Sequence, residues 1–434
     1  MEIAAAFLMV LLISFNAVAG SSGSINSIVS KDRNSGNYTT VGEAIRNAPE
    51  FSQKPYIIHV LAGIYQEYIL IPSTKINIHL FGDGPNHTII LANQNGSTID
   101  IRGEGFMAQN IGVINSAGLD ASAAVAVRNE ANNSIFFQCS IQGFQDTLWA
   151  VSGRQFYKNC DIYGTVDFIY GNAAAVFQDC MIYARYRQFV TFTAQSRESP
   201  YEKTGFTFQR CSFTMSPEDE DRKSEVRATL GRPLRNYSTV AILQCYIDSM
   251  VDPKGWEEMS GQGIDKVTYV EFENVGPGSN TDGRVDWSGV RVLGNHNQAL
   301  VFTASYFIDA DSWIPTRGVP YDRDGESRTT PRNGVAAGNG EGSFSSSSSS
   351  TPTGNVEAPI NGNGEGVTAG NGKGVATGNS EGNDEGVAAG NGEGVVDPEE
   401  EECVGYCFGF SCGPKGGGNQ QGVSPPHLPP RASI

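Results

Sequence analysis

Asp146 and Asp167 stand 21 residues apart, and the same offset separates Cys139 from Cys160. Two carboxylates that a fold brings within a few ångströms cannot both ionise readily, so one keeps its proton near neutral pH. A protonated acid beside an ionised carboxylate divides the labour of covalent hydrolysis: one attacks, the other serves as acid and then as base. Spacing alone also allows a plainer reading, in which each Asp caps a turn. The neighbours favour chemistry. Gln145 sets an amide donor beside one Asp, and Tyr163, Phe168 and Tyr170 flank the other with aromatic surface of the kind sugar rings stack on.

Other chemistries lack a constellation. His59, His79, His87, His296 and His427 are scattered, with no nucleophile beside them. No dense Asp/Glu/His cluster suggests a metal. Cys403, Cys407 and Cys412 match no common zinc spacing and read as a local disulfide with one thiol left over. GNSEG at 378–382 fits a serine-hydrolase pattern, but inside a low-complexity repeat rather than on a strand-to-helix elbow.

The elements that must position the two Asp residues repeat. An aromatic or apolar run, the cysteine, and an apolar residue two further on recur at Cys139, Cys160, Cys180, Cys211 and Cys245. Short β-prone runs with a period of roughly 20–25 residues indicate a solenoid, and without helical periodicity an all-β, parallel β-helix. Equivalent residues then stack about 4.8 Å apart on successive turns. The cysteines form an interior ladder, as disulfides or as free thiols, and Asp146 and Asp167 come side by side.

Around this body, residues 4–15 form an apolar run followed by Ala17-Val18-Ala19, a leader ending near residue 19. The run is too short to span a bilayer, so the mature chain reads as secreted and extracellular, with no membrane partner. Sequons at Asn37, Asn86, Asn95, Asn132 and Asn236 suit that compartment. Residues 38–50 read as a short helix capping the solenoid's open end, and strand-like runs continue to about residue 308. The body spans 25–324. From 325 to 434 the unit GVAAGNGEG and its variants, with six consecutive serines, predict a disordered acidic tail. The net charge of −17 disfavours nucleic acid as a partner.

IYGTVDFIYGN at 162–172 and GFQDTL at 143–148 resemble the two most diagnostic motifs of the plant pectinesterases. LGRP at 230–233, AGIYQE at 62–67, RVDWSG at 284–289 and SWIPTRGVPY at 312–321 extend the likeness from about Tyr38 to Tyr321. The resemblance implies a right-handed parallel β-helix and an aspartyl esterase that demethylates pectin in the cell wall, with no cofactor and no metal. It implies a monomer whose partners are methyl-esterified homogalacturonan and a proteinaceous pectinesterase inhibitor. Asp167 matches the nucleophile, Asp146 the general acid/base, and Gln145 an oxyanion donor. Arg232 matches the arginine that holds the nucleophile ionised; Phe168 and Leu234 fall at substrate-binding positions. The inhibitor-like region that many relatives carry ahead of the enzyme has no counterpart here.

Four departures accompany the match. AAVAVR at 123–128 puts Ala123 where a second amide donor is expected. Leu234 replaces a tryptophan after LGRP, and Tyr170 a phenylalanine. The segment 91–99 is about a strand short, with no counterpart for a substrate-contacting threonine. The first two support a second class of function, a pectin-binding or inhibitor-binding homologue with weak catalysis. A β-helix pectate lyase, the third class, requires a calcium-binding carboxylate cluster.

Overall fold

The computed structural model describes residues 24–326, apart from 94, 120 and 122. The expected leader, the tail beyond 326 and Cys403, Cys407 and Cys412 lie outside the described residues.

A complete turn of the chain contributes one short strand to each of three parallel sheets, and partial turns at the ends bring these to eleven, eight and six strands. One turn consists of Arg154–Lys158, Asp161–Gly164 and Ile169–Gly171. The next continues with Ala174–Gln178, Met181–Ala184 and Thr193–Gln195. This is the expected parallel β-helix. A two-stranded parallel pair, Phe189–Thr191 with Arg227–Thr229, sits beside it.

The turns stack because one corner repeats. Gln138, Asn159, Asp179, Arg210 and Gln244 all adopt left-handed backbone, with φ between 52 and 55°. Each directly precedes a ladder cysteine, so the chain bends sharply between the first and second sheets and sends the cysteine inward. All five cysteines are buried and free. The thiols of Cys160, Cys180 and Cys211 donate to the carbonyls of Phe136, Tyr157 and Phe177 on the preceding turn, at 3.3–3.4 Å. Beside them Phe136, Tyr157, Phe177 and Phe208 stack in register, with successive centroids 5.2, 4.6 and 4.6 Å apart. Offset stacking of this kind adds to the burial that drives the fold.

At the N-terminal end, helix α1 (Val41–Asn47) buries Val41, Ala44 and Ile45 over the first turn. Thr40 caps it by accepting from the Glu43 N–H at 3.2 Å, and the Glu67 carboxylate takes the Val41 and Gly42 N–H groups. These are the donors that a helix start leaves unpaired.

The run 299–308, expected as strand, is helical instead: His296–Ala299, Leu300–Phe302 and Ala304–Phe307. Ala304 and Ile308, four residues apart, pack with Trp313 and Ile314 on Ile135, Phe156 and Val176, while Val301 and Tyr306 are exposed. The outward face of the eleven-stranded sheet is apolar here and needs a cover. A helical turn presents residues four apart to that face, which overrides local β preference.

Candidate active site

Asp146 and Asp167 each lie two residues before a strand of the six-stranded sheet, Leu148–Ala150 and Ile169–Gly171. Leu148 pairs with Ile169, so the two Asp residues occupy the same place on adjacent turns. Both adopt left-handed backbone, at φ 62° and 51°, which Asp tolerates better than most residues. The two corners are tied together. The Asp146 N–H donates to the Val166 carbonyl at 3.2 Å and the Thr165 N–H to that of Phe144 at 2.9 Å. The Thr147 hydroxyl reaches the carbonyls of Phe144 and Tyr163 at 3.1 and 2.9 Å. A Cβ on Gly143 would meet that hydroxyl at 2.6 Å, which accounts for the glycine.

Arg232 arrives from a segment that extends the same sheet, with its N–H on the Thr193 carbonyl at 3.0 Å. Arg128, Trp149, Tyr170 and Ala194 form one outward column across that sheet, and Arg232 continues it. The small Ala194 leaves room for the guanidinium to fold back. Its Nε and Nη2 each donate at 2.9 Å, one to each oxygen of Asp167. Such a fork favours the ionised carboxylate and fixes its orientation.

Asp146 has the opposite character. Its pKa is pushed up to about 7, chiefly by burial and then by the charge of Asp167, with Arg232 offsetting part of the rise. Near neutral pH Asp146 therefore keeps its proton in a substantial share of molecules, beside the Arg232-bound Asp167. Gln145 is half-buried next to them, and among the described residues no hydrogen bond engages its side-chain amide.

The Pectinesterase family model matches residues 26–311. The chain belongs to the pectinesterase family. Probable pectinesterase/pectinesterase inhibitor 12 of Arabidopsis thaliana is 41% identical over 300 residues, covering 66% of this chain and 55% of the relative. Probable pectinesterase 30 of the same plant is 41% identical over 308 residues, 68% of this chain and 61% of the relative. The chain thus spans little more than half the length of these relatives. Carrot pectin methylesterase superposes with a TM-score of 0.68 at 38% identity, over 70% of this chain and 99% of that one.

The fold brings Asp146, Asp167, Gln145 and Arg232 to one place. Phe168 is not among them. Its side chain is 0% exposed and packs on Phe192, 5.4 Å away, in the interior. The left-handed Asp167 resets the alternation of the strand, so Phe168 and Ile169 both turn inward. The half-buried aromatic on the outer column is Tyr170, stacked on Trp149 at 5.5 Å, with Arg128 lying 5.0 Å over the Trp149 ring. Tyr163 instead stacks on Tyr183 at 4.7 Å on the neighbouring sheet. Trp149 carried a usable signal, since residues 128, 149 and 170 follow the same 21-residue offset as the acid pair. Leu234 is half-buried two residues beyond Arg232.

The turn carrying Ala123 has a one-residue slip. The N–H groups of Ala126 and Val127 both donate to the Thr147 carbonyl, at 2.8 and 3.2 Å. The shared acceptor changes the offset from 21 to 22 residues ahead of Val127, the behaviour of a bulge.

Proposed function

We propose that the chain is a pectin methylesterase, hydrolysing the methyl esters of galacturonate units in homogalacturonan to free carboxylates and methanol. The observation that carries this reading is the division of the acid pair: Asp167 gripped by both arms of the Arg232 fork, Asp146 with its pKa pushed up to about 7. The Asp167 carboxylate attacks C6 of the ester, and the Gln145 amide donates to the oxyanion that forms. The tetrahedral adduct collapses as Asp146 gives its proton to the departing methoxy oxygen, leaving an acyl-Asp167 anhydride. Water then loses a proton to Asp146 and attacks the same carbon, which frees Asp167 and restores both groups.

The stacked Tyr170 and Trp149 rings support a sugar platform beside the acids. The apolar run and small-residue site at 4–19 support secretion into the cell wall, and the inhibitor named in the relatives' titles supports a proteinaceous inhibitor as partner. A second reading, a binding protein with weak catalysis, rests on Ala123 and Leu234. Losing one oxyanion donor costs about 3–4 kcal/mol, on the order of 100- to 1000-fold in rate. Methanol release from methylated pectin, with and without chelator, decides among them. Chelator-insensitive methanol is expected; unsaturated sugar indicates a lyase, and neither product the binding protein.

A further inference from the structure

Arg185 stands outside the acid pair and its arginine, yet it touches both corners that carry them. Its backbone N–H donates to the Gly164 carbonyl at 2.8 Å, three residues ahead of Asp167. Its guanidinium runs back across the solenoid: Nη1 donates to the Gly143 carbonyl at 3.1 Å, three residues ahead of Asp146, and Nη2 to Gln142 Oε1 at 2.9 Å. The same group lies 4.9 Å over the Phe144 ring and 5.4 Å from that of Tyr163. Phe144, Thr165 and Arg185 succeed one another on adjacent turns, and Thr165 between them is fully buried. Two arginines thus fold back along the solenoid onto the two Asp corners, one from each side.

The Asp146 corner needs that support. A non-glycine residue in left-handed backbone costs about 1–3 kcal/mol, which the surroundings must offset. Backbone bonds and Thr147 hold the side of the corner facing the Asp167 turn. Arg185 holds the segment that leads into it, through a charge-assisted bond to a main-chain carbonyl and a cation over the next ring.

We propose that Arg185 is a positioning residue for Gln145 and Asp146: it fixes the Gly143–Phe144 peptide and thereby the reach of the amide and acid towards Asp167. This rests on the esterase reading. An arginine acting only on bound polymer would change KM, whereas one that aligns the acid changes kcat.

The test compares Arg185→Met, which keeps the apolar stem without donors, with Arg185→Lys, which keeps a cation without the fork. Expected for Arg185→Met is a 10- to 100-fold loss of kcat for methanol release, with KM within about threefold. Arg185→Lys should recover part of the loss. A second readout needs no turnover: the Asp146 carboxyl, labelled with carbon-13 and titrated by NMR, faces Asp167, Arg232 and Tyr170 and should shift its midpoint towards the ordinary carboxylate range in Arg185→Met. Unchanged kcat, or a rise in KM with kcat intact, overturns the proposal where the wild-type chain releases methanol. If the wild type releases none, the esterase reading fails by itself, and the titration alone decides the positioning. An unmoved midpoint then overturns it. Should Arg185→Met fail to fold, Arg185→Lys is judged by the same two readouts.

Discussion

Arg232 and Asp167 are 65 residues apart in the chain and meet through two hydrogen bonds of 2.9 Å each, Nε to Oδ1 and Nη2 to Oδ2. Both side chains are mostly shielded, at 23% and 14% exposure, so the pair is screened less than a surface bridge.

Arg232→Lys retains the charge and loses the fork. A hydrogen bond to a charged group contributes about 1.5–3 kcal/mol, so kcat/KM should fall roughly 10- to 150-fold. Steady-state methanol release measures this. Activity within twofold of wild type would mean that the charge alone suffices.

The acid pair predicts two different defects. Asp167→Asn should abolish turnover, because an amide does not form the anhydride, and it strands the Arg232 guanidinium. Asp146→Asn should bind pectin normally while failing to protonate methanol. Near-normal turnover in either variant contradicts the stacked-carboxylate mechanism.

Asp146 also makes stability depend on pH. Folding raises this carboxyl from 3.8 to about 7, so between those values the folded state holds a proton that the unfolded chain has released. Its favourable contribution is complete below about pH 4 and is lost as pH rises through 7. Asp146→Asn should therefore match wild type near pH 4 and exceed it at pH 8.5, by at most about 4 kcal/mol. Urea unfolding at the two pH values gives the difference. An equal stability gap at both would place the carboxyl in an ordinary environment.

Ala123→Gln supplies an amide 22 residues before Gln145, and a donor acting mainly on the transition state should raise kcat and kcat/KM together, by roughly 10- to 1000-fold. Leu234→Trp should lower KM instead, since a stacking surface holds substrate and transition state alike. A wild-type enzyme already fast and unresponsive to Ala123→Gln would require another donor in that turn.

The ladder thiols are free and buried, and burial holds those of Cys160, Cys180 and Cys211 well above the usual thiol range. Native protein exposed to iodoacetamide without reductant should remain unlabelled at Cys139, Cys160, Cys180, Cys211 and Cys245. Denatured protein should be labelled at all five. Peptide mapping that finds any of them disulfide-bonded contradicts the free-thiol state of the ladder.

The repeat itself was legible in the chain. A parallel β-helix returns every turn to one register, so an offset of 21 residues in the text becomes one strand spacing in space. That arithmetic alone aligned Asp146 with Asp167 and Cys139 with Cys160, and it reaches Trp149 between Arg128 and Tyr170. Motif likeness supplied Arg232, which follows no such period. What the tertiary structure decided was orientation. Whether Phe168 faced sugar or core depended on the left-handed Asp167 before it, and side-chain alternation cannot be counted through such a corner. Residues 299–308 became helical because an apolar sheet face required cover, a demand arising 120 or more residues earlier, at Ile135, Phe156 and Val176. The thiols are free, and those of Cys160, Cys180, Cys211 and Cys245 each donate to a carbonyl of the preceding turn. Arg185 meets Gly143 and Gln142 across 42 and 43 residues of chain, a relation between neighbours in space that no spacing in the chain announces.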